Sequence, residues 1–116
     1  MTYSKDVKVK FYLKASGRSP VEEFIEECSS ELKADFFDAV LLLTNGQSMS
    51  MPLSRNLASI HSGLHELRLK DRNGQVRVFY YIKMGDAVYL LHAFKKKTQE
   101  LPKNEIETVL KRIKEV

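Results

Sequence analysis

In residues 75–83, which read QVRVFYYIK, every second position from Arg77 to Tyr81 is positively charged or aromatic, and mostly aliphatic residues stand between them. This two-residue alternation predicts a β-strand that places Arg77, Phe79 and Tyr81 on one side. An arginine flanked by aromatic rings suits a surface that binds phosphate groups and stacks bases, since stacking on a ring contributes about 1–3 kcal/mol per base. The alternative is a solvated sheet face on which the guanidinium lies over a tyrosine ring.

A second predicted strand, residues 64–70 (LHELRLK), carries Glu66, Arg68 and Lys70 on one side. The turn residues that follow it predict a hairpin with residues 75–83. We therefore expect Arg68 and Arg77 on the same face of one sheet.

A third feature is the sequence HAFKKKT, residues 92–98, at the end of a nearly all-apolar strand over residues 87–94. A run of three lysines is most often a solvated surface, but here it follows a strand expected beside Arg77. Strand alternation places His92 on the same face as Leu90 and Phe94, where it either orients the strand end or takes part in proton transfer.

Together these residue types fit the needs of RNA cleavage. The 2′-hydroxyl must lose a proton, the phosphorane needs its negative charge stabilised, and the 5′-oxygen must gain a proton. Arginine and lysine can stabilise the charge, and histidine, lysine or tyrosine can move the protons. The predicted face holds Glu66 as its one acid, and the spacing of the histidines fits no metal motif, so the pattern predicts a site without metal or cofactor.

The charge distribution points to an anionic partner. Of the 116 residues, those from 68 to 116 carry 12 basic and 6 acidic side chains, whereas residues 1–67 carry 7 and 9. A basic half makes RNA or DNA the first candidate partner, and a merely soluble surface is an equally good interpretation of charge alone. The length fits one domain.

The chain contains no apolar stretch near the ~18 residues that a membrane span requires. Its first ten residues, MTYSKDVKVK, lack the apolar region of a signal peptide. These features predict a cytoplasmic protein with no membrane partner.

The elements that must position these side chains follow from periodicity and capping residues. Ser19 and Pro20 are typical of a helix start, and Asn45-Gly46 of a helix end. The predicted order is β-α-α-β-β-β-α, an α+β fold with helices packed on one mainly antiparallel sheet and the strand over 87–94 at its centre. The predicted elements are a strand over 7–13, a helix from Pro20, a helix over 30–44, an irregular segment over 47–63, strands over 64–70, 75–83 and 87–94, and a helix from Pro102.

The same alternation predicts that one sheet face is apolar and covered by helices. The opposite face, with Arg68, Arg77 and the aromatic rings, is expected to be uncovered.

Residues 63–112 contain four motifs in succession: Gly63-Leu64-x-Glu66-Leu67-Arg68, Arg77-Val78-Phe79-Tyr80, Leu91-His92-x-Phe94-x-Lys96-Lys97-Thr98, and Pro102-Lys103-x-Glu105-Ile106. In these motifs and their order, the segment resembles the phage-derived HigB-like branch of the RelE/ParE toxin superfamily. The resemblance implies a RelE-like fold, with residues 1–116 forming a single toxin domain.

The resemblance also implies a function. Such toxins enter the ribosomal A site and cut bound mRNA without metal, and they are neutralised by an antitoxin, commonly a HigA-like protein with a helix-turn-helix domain. It implies catalytic roles in phosphate binding or proton transfer for Arg68, Arg77, Tyr81, His92 and Lys96. It implies RNA binding, by charge or base stacking, for Lys70, Phe79, Tyr80, Lys95 and Lys97.

Two alternatives remain open on the same fold. A ParE-like gyrase inhibitor needs no nuclease site, although the Arg, Tyr and Lys residues favour cleavage over this interpretation. A catalytically silent module that only binds its antitoxin is the other, because no residue clearly matches a general base.

Overall fold

The computed structural model describes residues 7–116. Residues 1–6, the start of the N-terminal segment discussed above, lie outside the described residues. The elements, in chain order, are β1 (Val9–Phe11), α1 (Pro20–Glu26), α2 (Ser30–Thr44), β2 (Ser54–Asn56), β3 (Leu64–Asp71), β4 (Gly74–Ile82), β5 (Val88–Lys96) and α3 (Lys103–Ile113).

The described strands form one five-stranded sheet in the order β1-β5-β4-β3-β2, in which only β1 and β5 run parallel. This confirms the predicted α+β class and the antiparallel arrangement of β3, β4 and β5. Three details differ from the prediction: β1 is shorter, β4 rather than β5 is central, and the segment expected to be irregular contains β2. The physical reason is that β1 and β2 are three-residue edge strands whose pairing comes from the neighbouring strand rather than from their own sequence pattern.

The start of α1 follows the capping residue that the sequence predicts, and α2 begins at a serine cap of the same kind. The Ser19 hydroxyl accepts a hydrogen bond from the backbone N–H of Glu22 at 3.3 Å, and Pro20 begins α1. The Ser29 hydroxyl accepts one from Leu32 N–H at 3.1 Å at the start of α2. These caps satisfy amide groups that have no partner within the helix.

Helices α1 and α2 cover one face of the sheet. Ile25, Phe36 and Leu43 of the helices belong to the same buried cluster as Val78 of β4 and Leu90 of β5. This is the apolar face that strand alternation predicts. None of the helices described between residues 7 and 116 is long and apolar enough to cross a membrane.

The opposite face is not fully uncovered as expected, because α3 packs on part of it. Val109 and Ile113 of α3 form a second buried cluster with Phe79, Leu91 and Phe94 of the sheet. The amphipathic stripe of α3 needs an apolar surface to cover, and the aromatic rows of this face provide it. Only the rows beyond the reach of α3 stay open.

A bulge in β5 changes the faces of its residues. Phe79 pairs with His92 but Tyr80 pairs with Leu90, so Leu91 has no pairing partner in the register. The extra residue places both Leu91 and His92 on the α3 side, while Leu90 stays in the α1/α2 cluster. The expectation that His92 shares a face with Leu90 is therefore wrong.

Candidate functional site

Strand register brings the predicted basic residues together at the open end of the α3 face. Arg68 of β3 lies directly opposite Arg77 of β4, and the next row pairs Gln75 with Lys96. Directly opposed side chains on one face of an antiparallel pair lie about 4.5–5.5 Å apart at Cβ. The predicted grouping of Arg68, Arg77 and Lys96 is thus observed.

These residues line an open cleft of about 520 Å³, which we call the cationic cleft. Its walls come from β2, β3, β4, the end of β5 and the segment after β5. The lining residues are Arg55, Arg68, Gly74, Gln75, Arg77, Lys96, Lys97, Thr98 and Gln99. Every charged residue among them is positive, which favours an anionic ligand.

A buried carboxylate lies between the two opposed arginines. Glu66 has no exposed surface, with Oε1 3.8 Å from Nη1 of Arg68 and Oε2 4.0 Å from Nε of Arg77. Within the described residues neither carboxylate oxygen has a hydrogen-bond partner. Among residues 7–116, Glu66 is the one acid within salt-bridge distance of either arginine.

Arg77 is almost fully buried and hydrogen-bonded. Its side chain is only 5% exposed, and its Nη2 donates to Oε1 of Gln75 at 2.7 Å while Nη1 donates to the carbonyl of Val76 at 3.3 Å. Burial, and next the charge of Arg68, lowers the pKa of Arg77 from its usual value. Arg68 is more accessible, with 27% of its side chain exposed, so it can turn toward a ligand.

Lys96 lines the cationic cleft and has a lowered pKa. Partial burial lowers the pKa of its ammonium, and the charges of Arg77, Arg68 and Arg55 lower it further, while Glu66 opposes them. Lowering the pKa of a lysine brings it closer to the range in which it exchanges protons near neutral pH.

His92 lies against α3 and does not line the cationic cleft. Its Nε2 is paired with the carboxylate of Glu105, and its Nδ1 lies 3.2 Å from Nη1 of Arg112. Its ring is nearly parallel to the rings of Phe79 and Phe94, with centroid distances of 6.4 and 6.0 Å, and those two rings lie 5.7 Å from each other. Burial lowers the pKa of His92 from 6.5, although Glu105 raises it. The contacts make His92 part of the packing between α3 and the sheet.

The comparison with protein families decides the affiliation of the chain. The model described as "Phage derived protein Gp49-like (DUF891)" matches residues 23–114, which is most of the chain and includes every residue that lines the cationic cleft. The chain belongs to the phage-derived Gp49-like family. This is a family of RelE/HigB-like toxins. The comparison with curated proteins gives no match.

Two residues of this Gp49-like chain cannot stack bases as expected. Phe79 has no exposed surface and Tyr80 is 2% exposed. Phe79 packs under α3, whereas Tyr80 lies in the α1/α2 cluster and its hydroxyl is hydrogen-bonded to Ser54 Oγ at 2.6 Å. The expectation of base stacking on these rings is wrong, because helices cover both faces of the sheet at this level.

The remaining predicted residues divide between the cleft and other surfaces. Lys97 lines the cationic cleft, and Lys70 is exposed beside Arg68 and Arg77 in an adjoining groove. Lys95 points to the other side of the sheet, where it lines a groove with residues of α1 and α2. Tyr81 packs edge-on against His61 at 5.6 Å and is absent from the lining of the cleft.

Sequence reasoning missed Arg55, Gln75 and the polar segment 98–99. Arg55 lies in β2, opposite Glu66 in the register. A three-residue strand is too short to show alternation, so no local signal marks Arg55. The signal for Gln75 was present, since it is the first residue of the predicted strand over 75–83.

In the described part of the Gp49-like chain, no three His, Cys, Asp or Glu side chains cluster in a way that could hold a metal ion.

Proposed function

We propose that the chain is the HigB-type toxin of a type II toxin-antitoxin system, an endoribonuclease that cuts mRNA on the ribosome without using a metal ion. The observation that carries this proposal is the cationic cleft, an open cavity in which Arg55, Arg68, Arg77, Lys96 and Lys97 converge. Membership of a family of RelE/HigB-like toxins supports it.

The cleft suits the charge that develops during cleavage. When the 2′-oxygen attacks the phosphorus, negative charge accumulates on the phosphorane oxygens. Guanidinium groups fixed before the reaction stabilise that charge without reorganisation, and removing one such donor typically costs about 10²–10³ in rate. Arg77 is fixed by its hydrogen bonds, and the more exposed Arg68 faces it across the strand pair. We assign both to phosphate binding in the transition state.

Proton transfer falls to Lys96. It lines the cleft, and its pKa is lowered by partial burial and by the neighbouring arginines. As the O2′–P bond forms and the P–O5′ bond breaks, one proton leaves the 2′-hydroxyl and one reaches the 5′-oxygen. A lysine that exchanges protons more readily can serve one of these transfers. Lys70 and Lys97 extend the positive surface on either side for the flanking RNA.

The proposed partners are the ribosomal A site with its mRNA and a HigA-like helix-turn-helix antitoxin, all in the cytoplasm. Phosphate-directed cations suit a site that acts on RNA held in place by the ribosome. An antitoxin that covers the cationic cleft, or prevents entry into the A site, neutralises the activity.

The deciding experiment is inducible expression followed by primer extension on a reporter mRNA. The reporter is used in two forms, with and without a functional start codon. We expect new 5′ ends only in the translated form, and their loss in Lys96→Gln, which removes the charge but keeps most of the side-chain length.

Other outcomes overturn the proposal. Intact mRNA with accumulated cleaved gyrase–DNA complexes establishes the ParE-like alternative. Normal growth with intact transcripts establishes a silent antitoxin-binding module. Equal cleavage by Lys96→Gln and the parent removes Lys96 from the site.

A further inference from the structure

Resting on the proposed function, we infer that Glu66 is a positioning residue, which holds Arg68 and Arg77 side by side in the cationic cleft so that both face the scissile phosphate. The juxtaposition that carries this inference is a fully buried carboxylate within about 4 Å of two arginines that oppose each other across β3 and β4.

The arginine pair needs an explanation of this kind. Like charges directly opposite each other on one sheet face destabilise the pairing. Arg68 and Arg77 occupy such a position, and Arg77 is almost fully buried, so solvent screens the repulsion poorly. A negative charge between them is what allows both to remain in place.

Glu66 is placed to supply that charge to both arginines at once. It precedes Arg68 by two residues on the same strand, and Arg77 is its diagonal neighbour on β4. Each carboxylate oxygen faces a different guanidinium. Arg55, its partner in the register on β2, adds a third positive residue in the same row.

The distances around Glu66 leave N–H groups of the partly exposed Arg68 available to a ligand. The separations of 3.8 and 4.0 Å exceed the 2.7–2.9 Å of a charge-assisted hydrogen bond. Both oxygens of Glu66 and Nε of Arg77 are buried and lack a hydrogen-bond partner among the described residues, so the carboxylate acts on the two arginines through its charge. Glu66 thus orients the arginines by charge and does not occupy the N–H groups of Arg68 that a phosphate would bind.

Glu66 also acts on Lys96. Among the charges around this lysine, Glu66 raises its pKa, whereas Arg77, Arg68 and Arg55 lower it. Removing the carboxylate should therefore lower the pKa of Lys96 further. This change reports the charge of Glu66 in the cationic cleft, so it is read together with the binding and cleavage assays below.

The test compares Glu66→Gln with the parent in two separate assays. One measures affinity for a short RNA with a 2′-deoxy group at the cleavage position, and the other measures single-turnover cleavage of ribosome-bound mRNA. We expect Glu66→Gln to bind the RNA analogue at least as tightly, because one negative charge is gone, and to cleave at least tenfold more slowly. The pH profile should shift to lower pH on its alkaline side. Glu107→Gln, an exposed position on α3, is the control with the same change in charge.

A charge-balanced double variant, Glu66→Gln/Arg68→Gln, covers the case in which Glu66→Gln folds poorly. If Glu66 balances Arg68, the double variant is more stable than Glu66→Gln alone and cleaves as slowly. If it is no more stable, the inference is wrong. Cleavage by Glu66→Gln within twofold of the parent, or equal losses of binding and cleavage, also overturns it.

A readout that does not depend on cleavage separates this inference from the proposed function. In ¹⁵N spectra, the Nε–H of Arg77 should give a sharp resonance in the parent and a broadened one in Glu66→Gln. If the parent cuts no mRNA but the resonance changes as stated, the proposed function fails and the positioning role stands. If the resonance does not change, the positioning role fails.

Discussion

Two halves of the same sheet face differ in what they expose. At one end, the rows of Arg68 with Arg77 and of Gln75 with Lys96 border the cationic cleft. At the other end, the row of Phe79 with His92 lies under α3. Strands β3, β4 and β5 build both halves. The halves differ because α3 covers only one of them.

The contacts of α3 show how the boundary is fixed. The guanidinium of Arg112 donates to the carbonyl of Leu91 at 2.8 Å and lies over the ring of Tyr12, 4.9 Å from its centroid. Glu105 pairs with His92 and Glu115 with the hydroxyl of Tyr12. In the covered half, charged side chains make the hydrogen bonds between the α3 region and the sheet side. In the cationic cleft, charged side chains face an open cavity. Charged residues therefore hold α3 on the sheet in one half, and we propose that they bind a ligand in the other.

The largest effect is expected from Phe79→Ala in the covered half. Phe79 is fully buried, and truncation of a buried phenylalanine typically costs about 3–5 kcal/mol of unfolding free energy. Urea denaturation measures this loss. Binding of the RNA analogue by the folded fraction should be unchanged. Phe37→Ala, at an exposed ring on α2, controls for loss of an aromatic side chain, and reduced RNA affinity in Phe79→Ala would restore base stacking as its role.

Arg112→Ala should affect stability more than cleavage. The substitution removes the hydrogen bond to Leu91, the contact with His92 and the cation–π contact with Tyr12, which together should cost about 1–2 kcal/mol. Denaturation and single-turnover cleavage are measured on the same preparation, with the exposed Lys111→Ala as control. A large loss of cleavage without loss of stability would contradict the division into two halves.

Arg55→Ala should show the opposite pattern. Arg55 is exposed on the edge strand β2 and lines the cationic cleft. We expect cleavage to fall about tenfold, less than for a central oxyanion contact, with little change in stability because an exposed arginine on an edge strand packs little. Arg72→Ala, exposed in the β3–β4 turn, is the matched control. Parent-like cleavage by Arg55→Ala would confine the site to β3, β4 and the end of β5.

The smallest effect concerns pH and His92. Burial lowers the pKa of His92 in the folded protein from 6.5, so the unfolded chain takes up this proton more readily as the pH falls. The contribution of His92 to the free energy of unfolding is therefore fully present above pH 6.5. It is lost as the pH falls through the lower pKa of the folded state. The free energy of unfolding, measured with urea above and below pH 6.5, should depend less on pH in His92→Gln than in the parent. Part of the pH dependence should remain in His92→Gln, because burial also lowers the pKa of His65.

The sequence predicted the elements of the hairpin well. Alternation in residues 64–70 and 75–83 placed Arg68 and Arg77 on one face, and the structure brings them directly opposite each other. Ser19 and Pro20 marked the start of α1. These predictions succeed because alternation and capping depend on residues close together in the chain.

The candidate site was predicted only in part, for reasons that are not local. Arg55 joins the cationic cleft through the pairing of a three-residue strand, and His92 changes face because of a bulge at Leu91. Phe79 was expected to be exposed, but α3, some twenty-five residues later in the sequence, covers it. Neither bulges nor helix coverage leave a periodic trace in the strand itself.

By itself, then, the sequence determined the α+β class, the two strands that carry Arg68 and Arg77 and the shared face of these arginines, because side-chain direction in a strand is a property of the local backbone. The tertiary structure alone decided which part of that face stays open. The packing of α3 on the sheet and the pairing of β2, which brings Arg55 to the cleft, are contacts between distant segments of the chain. Such contacts depend on which surfaces pack together and not on the residue pattern within one segment.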